Sequence, residues 1–257
     1  MVIFLMVGLC FQPRTSAETA KCHAKDPINA LWLLAENCKG DQGCYTSCRR
    51  SNPDDQYVVT KDFRWTKNHA YLIIPSTRMK GIESPEIFDA PFVNLWQYGW
   101  EVAKQCPGQP APHTGLAINS ECSRTEEQLH IHISCVRSAV QQCLQEKDKK
   151  GEISSELTRP TELALGPVCN TYKVVKVSSL RGKDSPFKVV QHFPGVSDGN
   201  MREQSIAVIG SETPEKFYVL DTYHHDANVG GAEELLNQDC SDWLRPDPAK
   251  PATCTCR

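Results

Sequence analysis

Gln128-Leu129-His130-Ile131-His132-Ile133-Ser134-Cys135 alternates strictly between polar and apolar side chains, and that pattern decides how the chain folds around it. On an extended strand, alternate residues face opposite sides. Gln128, His130, His132 and Ser134 therefore share one face, and Leu129, Ile131, Ile133 and Cys135 share the other. Two imidazoles two positions apart stand roughly 6.5 to 7 Å from each other, from a rise of about 3.3 Å per residue. Such a pair can be solvated, can hold a metal, or can grip a phosphate.

The preceding residues weigh on that choice. Ala117-Ile118-Asn119-Ser120 reads as a second short strand, and the polar link from Glu121 to Glu127 makes a hairpin with the histidine strand. Such a link brings the Asn119 amide, the Ser123 and Thr125 hydroxyls and the Arg124 guanidinium near the imidazoles. Those groups complement phosphate oxygens. No carboxylate shares the histidine face of the strand. A zinc site would need a further ligand from His113, His192, His224 or His225 through tertiary folding. The metal reading weakens but stays open, and phosphoryl chemistry on these imidazoles would require neither metal nor cofactor.

The chain has 257 residues, 40% apolar content and 5 tryptophans, enough for a substantial core. Lys and Arg total 28 against 31 Asp and Glu, a formal charge of −3. That balance argues against a nucleic-acid partner and confines phosphate recognition to a local site. The apolar run Met1–Phe11 followed by Thr15-Ser16-Ala17 reads as a signal peptide over residues 1–17, too short to span a bilayer. An N-terminal anchor is the competing reading. Of 13 cysteines, removal of Cys10 leaves an even number, as a secreted disulfide-bonded protein should have. A secreted or extracytoplasmic monomer is expected.

Asp26-Pro27 is read as the start of a helix through Leu34 and Ala35. Tyr57–Thr60 and His69–Pro75 are read as strands, Phe92–Cys106 as an amphipathic helix, and Val136–Leu144 as a helix running out in Lys147–Gly151. In the second half, Tyr172–Val177, Phe187–Phe193, Ser205–Ile209 and Phe217–Asp221 are read as strands. A helix is expected near Ala232–Leu236, and an irregular tail over residues 246–257. The fold class is α+β, a largely antiparallel sheet flanked by helices, with one domain over residues 18–245. Both halves, 18–150 and 151–245, carry strands with a helix, which fits an internally duplicated pseudo-dimer, although no repeated sequence is found.

The segments Tyr71–Pro75, Gly81-Ile82-Glu83-Ser84-Pro85, Leu116–Ser120, Gln128–Cys135, Phe217–Leu220 and Ala232–Leu235 through Cys240, in this order, resemble the bacterial CDP-diacylglycerol pyrophosphatases, a branch of the histidine-triad superfamily. The resemblance covers roughly residues 26 to 243 and implies a histidine-triad-like fold. It also implies hydrolysis of CDP-diacylglycerol to CMP and phosphatidic acid, with transient contact with a membrane surface. The three places of the triad pattern fall on Gln128, His130 and His132. The resemblance makes His130 the nucleophile, His132 the group that neutralises phosphate oxygens, and Asn119 an orienting residue. Glutamine at the first place departs from the superfamily pattern, because it cannot carry a proton. Two alternatives stand beside this reading: a triad enzyme acting on other nucleotide conjugates, and a secreted disulfide-rich relative that binds nucleotides without turnover.

Overall fold

The computed structural model describes residues 30–38, 48–50, 57–62, 68–223 and 231–244. The segments read as signal peptide and tail, the start of the first helix at Pro27, and His224 and His225 lie outside these residues. The strands are β1 (Cys48–Arg50), β2 (Tyr57–Lys61), β3 (Tyr71–Pro75), β4 (Thr114–Ile118), β5 (Ile131–Val136), β6 (Thr161–Leu165), β7 (Asn170–Val177), β8 (Gln204–Gly210), β9 (Phe217–Tyr223) and β10 (Leu236–Asn237). The helices are α1 (Ala30–Asn37), α2 (Leu95–Ala103), α3 (Ser138–Lys149), α4 (Pro186–Gln191) and α5 (Ser241–Leu244).

The strands form one sheet in the order β1-β2-β3-β5-β4-β8-β9-β7-β6, with β10 added beside β5. Every pairing among the described residues is antiparallel. The expected α+β architecture is therefore what the chain adopts. The presumed hairpin is present with shifted bounds: β4 runs against β5 with Leu116 opposite Ile133 and Ala117 opposite His132, but β4 ends at Ile118 and β5 begins at Ile131, so Asn119, Ser120 and Gln128 to His130 belong to the link. Strands of the two halves meet at β4 and β8, so both halves share one sheet. They also share one core, in which Ile73, Trp96, Leu116 and Ile133 pack with Phe187, Ile206 and Val219. Strand β3 is buried at all five positions, as its unbroken apolar run predicts for an inner strand.

Several elements differ from expectation, β1 among them, which forms where a cysteine-rich loop was expected. Phe187–Phe193, read as a strand, begins with helix α4, whose first residue is Pro186. Proline at that place costs no hydrogen bond and fixes a helical φ. Its buried residues Phe187, Val189, Val190 and Phe193 fall at helical spacings of three and four. The adjacent valines had suggested a strand, but tertiary packing overrides that propensity. Thr161–Leu165 forms β6, which the sequence reading missed. The segment near Ala232 is one 3-10 turn, Ala232–Leu235, running directly into β10.

Cys135 and Cys240 form a disulfide that ties the end of β5 to the segment after β10. Cys38, Cys106, Cys122, Cys143 and Cys169 are also disulfide-bonded. No described helix is long and apolar enough to cross a membrane.

Candidate active site

Ile131 and Ile133 of β5, and Leu129 just before its start, enter the shared core, so the alternation expected from Gln128 onward persists although Gln128, Leu129 and His130 precede the strand itself. His130 and His132 are left on the other side, both buried at 7% and 6% exposure. In register beside His132 stand Leu72 of β3 and Ala117 of β4. The two rings meet edge to face with centroids 4.9 Å apart. They line a cavity of about 130 Å³ together with Asn119, Ser123 and Thr125, the hairpin residues expected there. Leu31 of α1, Leu72, Asp62, Glu126 and Glu233 complete its lining among the described residues.

His130 is held by its own chain. Its Nδ1 lies 2.7 Å from the Gln128 main-chain oxygen. A carbonyl can only accept, so Nδ1 carries the proton and Nε2 keeps its lone pair. Burial, then the neighbouring His132, pushes the His130 pKa down to about 4, only partly opposed by the Gln128 carbonyl and Glu233. At neutral pH this ring is an uncharged base with one defined nucleophilic nitrogen.

The Gln128 side chain does something else. Its amide nitrogen donates to the Pro75 and Thr77 carbonyls at 3.5 and 3.2 Å, and its oxygen accepts from the Met79 amide at 3.2 Å. These bonds fasten the start of the histidine segment to the loop after β3. What Gln128 offers His130 is its backbone carbonyl.

Arg124 is also placed differently from the sequence expectation. It is absent from the described lining of the cavity. Its guanidinium makes a two-pronged bridge to Glu83 at 2.6 and 2.5 Å, with Glu127 3.7 Å away. A Cβ at Gly81 would lie 2.0 Å from its Nη1, so any larger residue there would displace the guanidinium from this position. Arg124 reaches His130 through its charge, which helps hold the imidazole neutral.

Glu233 and Asp62 join the site through tertiary folding. Glu233 Oε2 lies 3.3 Å from His132 Nε2. Asn119 clasps the same residue twice: its amide nitrogen donates to Glu233 Oε2 and its oxygen accepts from the Glu233 backbone N–H, both at 3.1 Å. Gln238 donates to the other carboxylate oxygen. The turn carrying Glu233 is fixed by the buried Ala232 and Leu235 and by β10 pairing with β5. Asp62 follows β2, where its backbone N–H bonds the Ala70 carbonyl. Ligand atoms of Asp62, His132 and Glu233 lie within 4.8 Å of one another, a set able to share a divalent cation. His113 and His192, considered as third ligands, are elsewhere: His113 stacks on Trp243, and the exposed His192 bonds the Lys188 carbonyl. The similarity in sequence had drawn attention to the segment around Glu233 without singling out the residue, and nothing in the sequence pointed to Asp62.

Asn119, Ser123 and Glu233 also border a second, polar cleft of about 390 Å³ that continues past Arg137, Asn237 and Gln238. The small chamber thus has a polar side at this cleft and an apolar side at Leu31 and Leu72. A neutral nucleophile, a second imidazole beside it and converging hydroxyl and amide groups suit attack on a phosphorus atom.

The family model for CDP-diacylglycerol pyrophosphatase matches residues 26–243. A Mycobacterium leprae (strain TN) protein described as "Probable CDP-diacylglycerol pyrophosphatase" is 26% identical over 258 residues, covering 93% of each chain. Among solved structures, yeast Ap4A phosphorylase Apa2 in complex with AMP is similar with a TM-score of 0.45 and 13% identity, over 90% of this chain and 81% of that one. A DUF4931 family protein from Bacillus cereus reaches a TM-score of 0.38 at 10% identity, over 77% of this chain and 91% of its own.

Proposed function

The chain belongs to the CDP-diacylglycerol pyrophosphatase family, hydrolases of a nucleotide pyrophosphate bond, and from that premise we propose that it splits CDP-diacylglycerol into CMP and phosphatidic acid through a nucleotidylated His130. The observation carrying this reading is the bond from His130 Nδ1 to the Gln128 carbonyl, which leaves Nε2 as the nucleophile.

In the first step the Nε2 lone pair attacks the phosphorus bonded to cytidine. An N–P bond forms, the bridging P–O bond breaks, and phosphatidate leaves with the electron pair. In the second step the oxygen of a water attacks the same phosphorus, the N–P bond breaks, and the electron pair returns to Nε2. CMP departs, and the proton of the water passes to a cavity carboxylate or to solvent. One hard displacement becomes two easier ones. His132 and the hydroxyls of Ser123 and Thr125 face the charge that develops on the phosphoryl oxygens. Asn119 acts at one remove, by holding Glu233 against His132.

The disulfides and the apolar N-terminal sequence support a place outside the cytoplasm. The reaction is tested with CDP-diacylglycerol labelled in its CMP moiety. Rapid acid-free quenching of the wild type should trap label on the protein. His130→Ala should release CMP about a thousandfold more slowly or worse, as expected when a nucleophile is removed. Wild-type turnover in His130→Ala refutes the assignment.

A further inference from the structure

The chamber holding His130 and His132 measures about 130 Å³. Pockets that enclose a drug-sized ligand start at roughly 300 Å³. Two acyl chains do not fit in it. If the substrate is a nucleotide diphospholipid, which is the reading this inference rests on, the reacting phosphates enter and the lipid half stays outside. The polar cleft at Asn237 and Gln238 is a poor surface for hydrocarbon. The apolar side of the chamber is Leu72 and Leu31, and Leu31 belongs to α1.

Helix α1, Ala30-Leu31-Trp32-Leu33-Leu34-Ala35-Glu36-Asn37, is apolar through six consecutive residues. Leu31, Leu34 and Ala35 pack on Val58, Leu72 and Ile74 of β2 and β3. That contact uses only part of the helix: Leu33 is 43% exposed, and Trp32 is not buried. A surface helix normally turns polar residues outward, yet here an exposed leucine and a half-buried indole stand side by side. They are continuous, through Leu31, with the wall of the catalytic chamber. Tryptophan is suited to the boundary between headgroups and acyl chains, because its ring is apolar and its N–H is not.

We propose that α1 is the membrane-docking lip of the active site. Trp32 and Leu33 enter the bilayer that carries the substrate, and the glycerol end of CDP-diacylglycerol passes over Leu31 and Leu72 to present its pyrophosphate to His130. The partner is a lipid surface, engaged by hydrocarbon insertion.

The test compares CDP-diacylglycerol in phosphatidylcholine vesicles with a short-chain, water-soluble CDP-dibutanoylglycerol, using the full chain. Trp32→Ser/Leu33→Ser should lower kcat/KM on vesicles about tenfold or more, the loss expected when two apolar side chains no longer leave water. Its rate on the soluble substrate should match wild type, which also shows that the variant is folded. Trp32→Phe/Leu33→Ile should restore the vesicle rate. Brominated lipids should quench wild-type fluorescence, and the part due to Trp32 should vanish in Trp32→Phe. Equal rates of the serine variant and wild type on vesicles, or equal losses on both substrates, overturn the docking role. Wild type inactive on both substrates refutes the lipid-pyrophosphatase reading itself, which separates the two failures.

Discussion

Gln128 stands two positions before His130, where the sequence resemblance puts the first place of a triad pattern, yet its amide is committed to Pro75, Thr77 and Met79. The Gln128 side chain therefore faces the loop after β3 and not the two imidazoles. Gln128→Ala would strand a buried N–H and two carbonyls, costing about 1–3 kcal/mol for each group left unsatisfied. The expected result is a clearly lowered melting temperature, with the pH dependence of kcat unchanged. A pH limb that disappears at constant melting temperature would instead give Gln128 a proton-transfer role. Glu233 predicts the opposite signature. Glu233→Gln removes a charge 3.3 Å from His132, and kcat should fall roughly 10- to 100-fold, in the lower range seen when one preorganised electrostatic partner is lost. The folded fraction measured by circular dichroism should remain that of wild type. His130, His132, Asn119, Ser123 and Thr125 were legible in the sequence because a strand and its hairpin are local patterns. Glu233 and Asp62 were not, because no local period links them to β5.

At the scale of elements, the bridge between Arg124 and Glu83 fixes the hairpin link against the segment from Gly81 to Pro85. The guanidinium side chain is only 2% exposed and that of Glu83 15%. Removing one partner of such a pair leaves a buried charge without compensation, about 3–5 kcal/mol. Arg124→Ala should therefore unfold at markedly lower urea concentration. The double change Arg124→Met/Glu83→Gln should recover much of that loss. Were Arg124 chiefly a phosphate ligand, Arg124→Ala would raise KM and leave the urea midpoint in place. In sequence, a guanidinium beside serine and threonine looks the same whether it faces phosphate or a carboxylate. Only the approach of Gly81 and Glu83 from a distant segment distinguishes them. The same limit explains α4: Val189-Val190 favours a strand locally, and the core that receives Phe187 and Phe193 selects the helix.

Across the whole molecule, two buried titrating groups oppose each other in pH. His130 has its folded pKa depressed to about 4 from an ordinary 6.5. Its contribution is fully present above 6.5 and is lost as pH falls toward 4. Asp221 lies on β9, between Ile206 of β8 and Lys173 of β7, and is 2% exposed. Burial raises its pKa to about 8 from 3.8, with Lys173 acting only partly against it. The folded carboxyl therefore keeps a proton that the unfolded chain releases. Its contribution is complete below pH 3.8 and declines as pH rises through about 8, by up to about 1.4 kcal/mol per pH unit in between. Because β9 is an inner strand of the one sheet that both halves build, this loss should register as global stability. Asp221→Asn keeps the shape of the protonated acid and cannot ionise. In urea melts at pH 5, 6, 7 and 8, the variant should gain stability over wild type by an amount that grows with each step, while the acid-side decline assigned to His130 remains in both. Parallel curves for the two proteins would mean that Asp221 is ionised in the folded sheet, with Lys173 fully compensating its burial.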